Sequence, residues 1–193
     1  MARVPDATHL ALFDTALGAC GIAWNTAGVC GLHLPGADRA RTLASLRRRH
    51  PRAEEAAPSA PIRAAIEAIG ALLDGTPVDL SGIVLDLDGI PEFHRRVYAV
   101  ARGIPPGRTL SYGEVAQRLG EPHAARAVGQ ALGANRFAII VPCHRVLAAH
   151  GAAGGFSAPG GVDTKRRLLE IERARIGDQP GLFDGLFLES PRP

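Results

Sequence analysis

A cysteine and a histidine stand side by side at Cys143 and His144, after Pro142 and a short apolar stretch at residues 137–141 that fits a buried strand. The thiolate is the reactive form of cysteine, and a free thiol with a pKa of about 8.5 is mostly protonated at neutral pH. A neighbouring imidazole can take that proton, so the pair indicates nucleophilic chemistry. Adjacent side chains of an extended chain point to opposite sides, so a contact needs a turn or an intervening water. Taken alone, the dipeptide fits better an inert core cysteine beside a surface histidine.

A downstream carboxylate gives this histidine a candidate partner. Residues 162–175 are predicted to form a helix whose apolar face holds Leu168 and Leu169, and Glu172 follows on the same face. A carboxylate on the inner side of a helix needs a partner. His144 would give a Cys–His–Glu relay in which the acid orients the base. The alternative is a surface Glu172 paired with Arg175 or Arg145.

Two short helices are predicted before the cysteine. Ser111 and Glu114 fit a capping box, which starts a helix that ends near Gly120. Pro122 is expected to open a second helix that runs to about Leu132. A short helix, a tight turn and a second helix form a helix-turn-helix pattern. Two packed helices in a protein that does not bind DNA would give a similar pattern.

Small residues dominate the second of these helices, at Ala124, Ala125, Ala127, Val128, Gly129 and Ala131. A helix this thin lets its backbone approach another surface closely. That surface is either a neighbouring helix or a groove of DNA. Arg126 projects from the helix as a large charged side chain, and an arginine there could fill the space left by an unstacked base.

The remaining chain predicts an α+β fold. Apolar stretches that predict strands lie at residues 10–13, 20–24, 29–34 and 78–87. Further helices are predicted at residues 39–49, 61–75 and 91–103. We therefore expect a small N-terminal α/β domain with an antiparallel sheet over residues 1–88. A mainly helical C-terminal domain, with the helix-turn-helix and the cysteine, is expected over residues 89–176, and a flexible tail over residues 177–193.

Composition and charge fit a globular protein with a polyanionic partner. Hydrophobic residues make up 46% of the chain, and no apolar run approaches the roughly 20 residues of a membrane span. With no secretion signal visible, a cytoplasmic location without membrane contact is expected. Residues 101–176 carry 10 arginines and one lysine against 5 acidic residues, whereas residues 1–100 carry 10 arginines against 11. A polyanion should therefore prefer the C-terminal half. Lys165 is the only lysine, which we attribute to codon usage.

Three cysteines, Cys20, Cys30 and Cys143, are too few and too widely spaced for a disulfide framework. Cys20, Cys30 and His33 could prompt the idea of a zinc site, but three candidate ligands are too few for a typical structural site. Cys20 and Cys30 are expected to be packed strand residues. No metal ion and no cofactor are expected.

The segment Ile140-Val-Pro-Cys-His-Arg-Val146 resembles the active-site signature of the O6-alkylguanine-DNA alkyltransferases, also called methylated-DNA–protein-cysteine methyltransferases. The resemblance continues, in order and at similar spacing, through Phe93-His-Arg-Arg-Val-Tyr98, Gly107-Arg-Thr-Leu-Ser-Tyr112, Ala124-Ala-Arg-Ala-Val-Gly129, Asn135 and Lys165-Arg-Arg-Leu-Leu169 to Glu172. It covers residues 91–175 strongly, and residues 8–88 only in overall layout.

The resemblance implies a DNA-repair activity that uses each protein molecule once. A methyl or larger alkyl group would move from O6-alkylguanine in double-stranded DNA to Cys143, with O4-alkylthymine as a second candidate substrate. The helix-turn-helix would bind in the minor groove and flip the damaged nucleotide out. A monomer is expected, because no long unpaired apolar face stands out. A non-enzymatic alkyl-damage binding protein and a cysteine hydrolase are the alternatives.

The resemblance also implies residue roles. Cys143 would attack the alkyl carbon, His144 would take the thiol proton through a water, and Glu172 would orient His144. Tyr112 would hydrogen-bond the guanine and help to protonate it as it leaves. Arg126 would fill the vacated stack, while Asn135 would support the loop before the cysteine. Further substrate or DNA contacts are implied for Ser111, Ala125, Ala127, Gly129, Arg145, Val146, Gly154, Phe156 and Ser157.

Two segments stand apart from the family pattern. Phe156 occupies a position where some members have tyrosine, in a loop that lines the pocket, so the range of alkyl groups stays open. Gln179-Pro-Gly-Leu-Phe183 resembles short peptides that dock on bacterial sliding clamps. Matches of this length are common by chance, and the apolar tail residues could instead fold back on the protein.

Overall fold

The computed structural model describes residues 8–151 and 154–174, without the side chain of His150. Residues 177–193, which include the candidate clamp-binding segment Gln179 to Phe183, lie outside the described residues, as does Arg175. Within the described ranges, no helix combines the length and the apolar character that a membrane crossing requires.

A four-stranded sheet forms the N-terminal part, in the order β3-β2-β1-β4. The strands are β1 (His9–Thr15), β2 (Gly18–Asn25), β3 (Gly28–His33) and β4 (Glu54–Glu55). β1, β2 and β3 pair antiparallel, close to the predicted positions, whereas β4 pairs parallel with β1. The predicted antiparallel sheet is confirmed for these three strands, and a fourth, parallel strand of two glutamates without an apolar pattern makes the sheet mixed.

Two helices cover this sheet. Helix α1 (Arg39–Arg49) is capped by Asp38, whose side chain accepts a hydrogen bond from the Arg41 backbone, and its bounds are those predicted. Helix α2 (Ala60–Leu73) has Pro61 in its first turn and buries Ile62 and Ile69. The core beneath α2 continues without a break into the C-terminal helices.

The predicted strand at residues 78–87 is wrong. Only one bridge forms there, between Leu85 and Val29 of β3. Val29 exchanges backbone hydrogen bonds with Val84 and Asp86 at this bridge. Beyond it, guanidinium groups bind the backbone: Arg102 donates to the carbonyl of Ile83 at 2.7 Å, and Arg136 donates to the carbonyl of Asp88 at 2.7 Å. Buried backbone groups need partners, and here long side chains supply them.

The C-terminal part is mainly helical, so the chain as a whole is α+β. Its elements are α3 (Glu92–Arg102), β5 (Leu110–Ser111), α4 (Tyr112–Arg118), α5 (Ala125–Gly133), β6 (Val146–Leu147) and α6 (Gly161–Ile171). The capping box of α4 is confirmed: Ser111 Oγ accepts from the Glu114 amide at 3.1 Å, and the Glu114 carboxylate accepts from the Ser111 amide at 2.6 Å. Helix α5 begins three residues after Pro122, because residues 121–124 form a turn.

Residues 137–141 form a buried turn and not the predicted strand. The Val141 amide donates to the Phe137 carbonyl at 2.8 Å, so the segment folds back on itself. Ile139 takes a φ of 70°, which is rare for a β-branched residue. One 3₁₀ turn, Cys143–Arg145, follows. β6 then pairs in parallel with β5, a contact between distant short segments that the sequence pattern does not show.

Candidate active site

The Cys143 thiol lies at the end of the buried turn and is 8% exposed. Asn135 holds this turn in place. Its Nδ2 donates to the Val141 carbonyl at 2.9 Å and lies 3.4 Å from Cys143 Sγ, while its Oδ1 accepts from the Phe137 amide at 2.9 Å. One amide side chain thus fixes both the backbone before the cysteine and the direction of the thiol.

Opposing effects act on the pKa of Cys143. Burial raises it, while the hydrogen bond from Asn135, the positive charge of Lys165 and backbone hydrogen bonds lower it. Burial has the larger effect, so the pKa lies above its ordinary value. The thiol is therefore protonated at neutral pH, and a base must remove its proton before or during attack.

His144 and Glu172 form the predicted pair, with 2.9 Å between Nε2 and a carboxylate oxygen. The side chain of His144 is fully buried and that of Glu172 is 3% exposed. Because the carboxylate accepts from Nε2–H, the lone pair of the neutral imidazole lies on Nδ1. Nδ1 is buried and has no hydrogen-bond partner in the structure. Burial lowers the pKa of His144, although Glu172 opposes this, so the neutral ring is available as a base.

Arg145 binds the other side of the same carboxylate. Its Nε and Nη2 donate to the two oxygens of Glu172 at 2.9 and 2.7 Å, and Nη1 donates to the Ile104 carbonyl. Burial alone would raise the pKa of Glu172, but the hydrogen bonds from His144 and Arg145 bring it to about 2. Because the Arg145 side chain is only 6% exposed and fully engaged, its position does not support the predicted DNA contact. Glu172 has both partners, histidine and arginine, just after α6 ends.

Lys165 is a site residue that the sequence reasoning attributed to codon usage. Its side chain is fully buried, and Nζ donates to the carbonyl of Val146 at 2.7 Å. The ammonium also lies 5.9 Å from the centroid of the Tyr112 ring. Burial lowers the pKa of Lys165 to about 8, while the nearby Cys143 raises it. The sequence signals for it are its position as the single lysine and its place at the start of the family-like segment Lys165-Arg-Arg-Leu-Leu169.

Tyr112 is half-buried, and its ring lies close to two glycines, Gly129 of α5 and Gly154 of the loop after the cysteine. Cβ atoms placed on Gly129 and on Gly154 would lie 3.8 and 3.3 Å from ring carbons of Tyr112, so both glycines allow a close approach. Gly154 has a φ of +60°, which a side chain would also disfavour. Burial and the nearby Cys143 raise the pKa of Tyr112, so its hydroxyl stays protonated and can donate.

The thin helix α5 presents one exposed face. Val128, Ala131 and Leu132 are buried, and the Tyr98 hydroxyl donates to the Ala131 carbonyl at 3.2 Å from below. On the opposite side Arg126 is exposed and makes no hydrogen bond or ion pair within the part of the chain that the structure describes. Its neighbours, Ala125 and Ala127, are half-buried.

The remaining predicted contacts lie around the thiol or on the loop after it. Val146 is buried, and its carbonyl already accepts from Lys165. Phe156 packs partly against the core, while Ser157 is exposed. Ser111 uses its side chain to cap α4.

The other two cysteines lie in the N-terminal sheet, as predicted. Cys20 and Cys30 are buried, on β2 and β3. Among the described residues, no group of three or more His, Cys, Asp or Glu side chains is arranged to hold a metal ion.

Comparison with known proteins places this arrangement in a family. Residues 92–174 match the family model described as the 6-O-methylguanine DNA methyltransferase, DNA binding domain. The methylated-DNA–protein-cysteine methyltransferase of Mycolicibacterium paratuberculosis is 48% identical over 120 residues, which are 62% of this chain and 70% of that protein. The chain belongs to the methylated-DNA–protein-cysteine methyltransferase family.

Solved structures extend this likeness beyond the C-terminal domain. The O6-methylguanine methyltransferase of Mycobacterium tuberculosis superposes with a TM-score of 0.70 at 34% identity, over 92% of this chain and 99% of that one. An OGT of the same organism, crystallised in complex with DNA, gives a TM-score of 0.69 at 34% identity over 86% and 92% of the two chains. The N-terminal sheet therefore belongs to the fold shared with these methyltransferases.

Proposed function

We propose that this methyltransferase moves a methyl or larger alkyl group from the O6 atom of guanine in duplex DNA to Cys143, once per molecule. The observation that carries the proposal is the unpaired Nδ1 of His144, one residue from a buried thiol and held by Glu172 on its other side. A base with a free lone pair and a fixed ring beside a protonated thiol is the arrangement that nucleophilic attack requires.

The transfer is a displacement at saturated carbon. The S–C bond to Cys143 forms as the C–O6 bond breaks, and the thiol proton passes to His144 Nδ1, which lies on the adjacent residue, through an intervening water. The leaving guanine takes up one proton, for which the Tyr112 hydroxyl is the donor. A proton from the histidine then restores Tyr112. Because the product is a thioether with no easy route to hydrolysis, the protein is consumed.

DNA would be held by α4 and α5, with α5 in the minor groove. Its small residues allow close approach to the sugar–phosphate backbone, and Arg126 is free to replace a flipped nucleotide in the stack. Helix α5 has no side-chain cap at its N-terminus, which leaves backbone N–H groups for phosphate oxygens. O4-alkylthymine would enter the same pocket.

A titration tests the proposal. A duplex with one O6-methylguanine is mixed with the protein at increasing molar ratios, and the mass that the protein gains is measured. The expected result is a plateau at one CH₂ per molecule. Cys143→Ala should gain nothing, and Cys20→Ala should behave like the unaltered chain. Repair of many lesions per molecule would contradict the proposal, and lesion binding without mass gain would support the damage-binding alternative. A parallel duplex with O4-methylthymine tests the second substrate.

A further inference from the structure

Helix α1 carries an unevenly paired set of arginines. Near its start, Arg39 forms an ion pair with Asp14 at 2.7 Å, and Arg41 lies 3.8 Å from Asp38. In the last turn Arg47 still pairs with Glu55, but the arginines that follow it do not pair with acidic side chains in the described ranges. We call Arg48, Arg49 and Arg52 the basic end of α1; all three are exposed, and within the described ranges none forms an ion pair with an acidic side chain.

Two neutral histidines lie between this basic end and a further arginine, Arg136. The imidazoles of His33 and His50 lie 6.5 Å apart between their ring centroids, and within the described ranges neither Nε2 has a hydrogen-bond partner. Burial and the charges of Arg49, His50 and Arg48 lower the pKa of His33 to about 4. Burial, Arg136 and Arg49 lower the pKa of His50. Both rings are therefore uncharged at neutral pH, and the repulsion that remains is between the arginines, which a bound anion relieves.

The basic end lies beside the chain that leaves α5. The Leu32 amide donates to the Arg136 carbonyl at 2.8 Å, and Leu32 forms a bridge with Phe137. On α5 itself the exposed residues Arg126 and Gln130, with Gly133, follow one face for about 10 Å at 1.5 Å per residue. That face ends two residues before Asn135, so the DNA-facing side of α5 leads toward the basic end.

We infer that the basic end of α1 is a second phosphate-binding surface, which contacts the backbone of duplex DNA flanking the lesion held at α5. The inference rests on the proposed function, since that function places DNA along α5. Duplex DNA presents one negative charge for about every 1.7 Å of its axis, so a basic surface next to the bound groove meets phosphates. A helix C-terminus also favours arginines through its dipole, but that effect falls off within the last turn and does not account for Arg52 beyond it.

Salt dependence of binding tests this surface. Binding of an undamaged duplex of about 30 base pairs is measured by fluorescence anisotropy between about 50 and 300 mM salt, because each phosphate contact contributes about 0.9 to the slope of log K against log salt. Arg48→Gln/Arg49→Gln should weaken binding of all sequences and reduce the slope by about 2. The matched control, Arg39→Gln/Arg41→Gln, removes two arginines from the other end of the same helix and should leave the slope within one unit of the unaltered value.

Equal slopes of log K against log salt in the two double variants would overturn the inference. A loss of thermal stability in Arg48→Gln/Arg49→Gln with unchanged DNA binding would also overturn it, because those arginines would then stabilise only the helix. Alkyl transfer at saturating damaged duplex and low salt is measured beside it and should be unchanged in Arg39→Gln/Arg41→Gln. If the unaltered protein binds with the expected slope but never gains an alkyl group, the proposed function fails separately from the phosphate-binding surface.

Discussion

Two regions of this molecule bury cysteine thiols to nearly the same extent and with opposite surroundings. Cys20 and Cys30 in the sheet are 1% and 6% exposed, and Cys143 in the active-site turn is 8% exposed. Burial raises the pKa of both sheet cysteines to about 11, since apolar residues make up most of their neighbourhood. Around Cys143 an amide, an ammonium and backbone groups oppose the effect of burial. We attribute the proposed reactivity of Cys143 to these polar neighbours and not to its exposure.

Burying a polar side chain costs free energy, and at this site His144, Arg145 and Glu172 offset that cost by pairing with one another. Glu172 faces both His144 and Arg145, so one carboxylate compensates one buried cation and orients one neutral ring. Among the described residues of this network, Nδ1 of His144 is the one buried atom without a hydrogen-bond partner. In the sheet region Cys20 contacts the Thr15 hydroxyl and Cys30 senses the charges of Asp86 and Arg136, but neither has a histidine base beside it in the sequence.

Removing the carboxylate should have the largest effect. Glu172→Gln leaves Arg145 as a buried, unpaired charge and frees the His144 ring, so unfolding free energy should fall by about 3–5 kcal/mol and the transfer rate by at least about 100-fold. Because the pKa of Glu172 is depressed to about 2, its stabilisation is full above pH 4.5 and is lost as pH falls toward 2. Urea unfolding between pH 2 and 7 measures this, and Glu172→Gln should flatten that part of the profile.

Glu170→Gln, on the exposed side of α6, is the matched control and should leave both the rate and the pH profile unchanged. The same acid-sensitive loss of stability in Glu172→Gln as in the unaltered chain would show that other carboxylates cause it.

Lys165→Met should separate stability from reactivity. The positive charge beside Cys143 lowers the thiol pKa, so the variant's rate profile should shift to higher pH, with transfer slowed about ten-fold at pH 7 for each unit of thiol pKa gained. Removing a buried ammonium whose pKa is lowered to about 8 relieves a desolvation penalty, so stability at pH 7 should hold or rise. Stopped-flow transfer rates from pH 6 to 9 measure the shift. Arg166→Met, at an exposed position one residue further along the helix, should change neither the pH profile of the rate nor the stability. An unshifted pH profile in Lys165→Met would show that the lysine does not affect the reaction.

Alkylation by iodoacetamide should rank the three thiols without any DNA. With pKa values of about 11, Cys20 and Cys30 hold only about one thiolate in a thousand at pH 8. Burial raises the pKa of Cys143 as well, but the adjacent base His144 can take its proton, so Cys143 should label first in the folded protein. All three should label alike in denaturant. Peptide mass analysis over time gives the order. Faster labelling of a sheet cysteine would reverse the comparison between the two regions.

The smallest expected effect concerns the turn after α6. Arg173 takes a φ of 51°, the left-handed conformation that glycine favours at a helix C-terminus. Arg173→Gly should raise the unfolding free energy by about 0.5–1 kcal/mol, because the relief of strain slightly exceeds the entropy that glycine loses on folding. Thermal unfolding measures it. An unchanged transfer rate is also expected, and a slower one would mean that the strain helps to position Glu172.

The sequence predicted local features and missed those that depend on distant contacts. Three features can be predicted because each has a local pattern or a clear energetic need. They are the bounds of α1, the capping box at Ser111 and the contact between Glu172 and His144. The turn at residues 137–141 was predicted as a strand, since a buried apolar stretch looks the same in either form. Nothing local shows that Lys165 points into the site, or that Arg145 turns inward. The nearly balanced charge of residues 1–100 as a whole also gives no sign of the basic end of α1.

The most direct test of the central claim asks which sulfur carries the alkyl group. After reaction with a duplex that contains O6-methylguanine, the protein is digested and the three cysteine peptides are weighed. We expect one added CH₂ on the Cys143 peptide and none on the peptides of Cys20 and Cys30. A methyl group on either sheet cysteine, or on none of the three while the DNA is repaired, would contradict it.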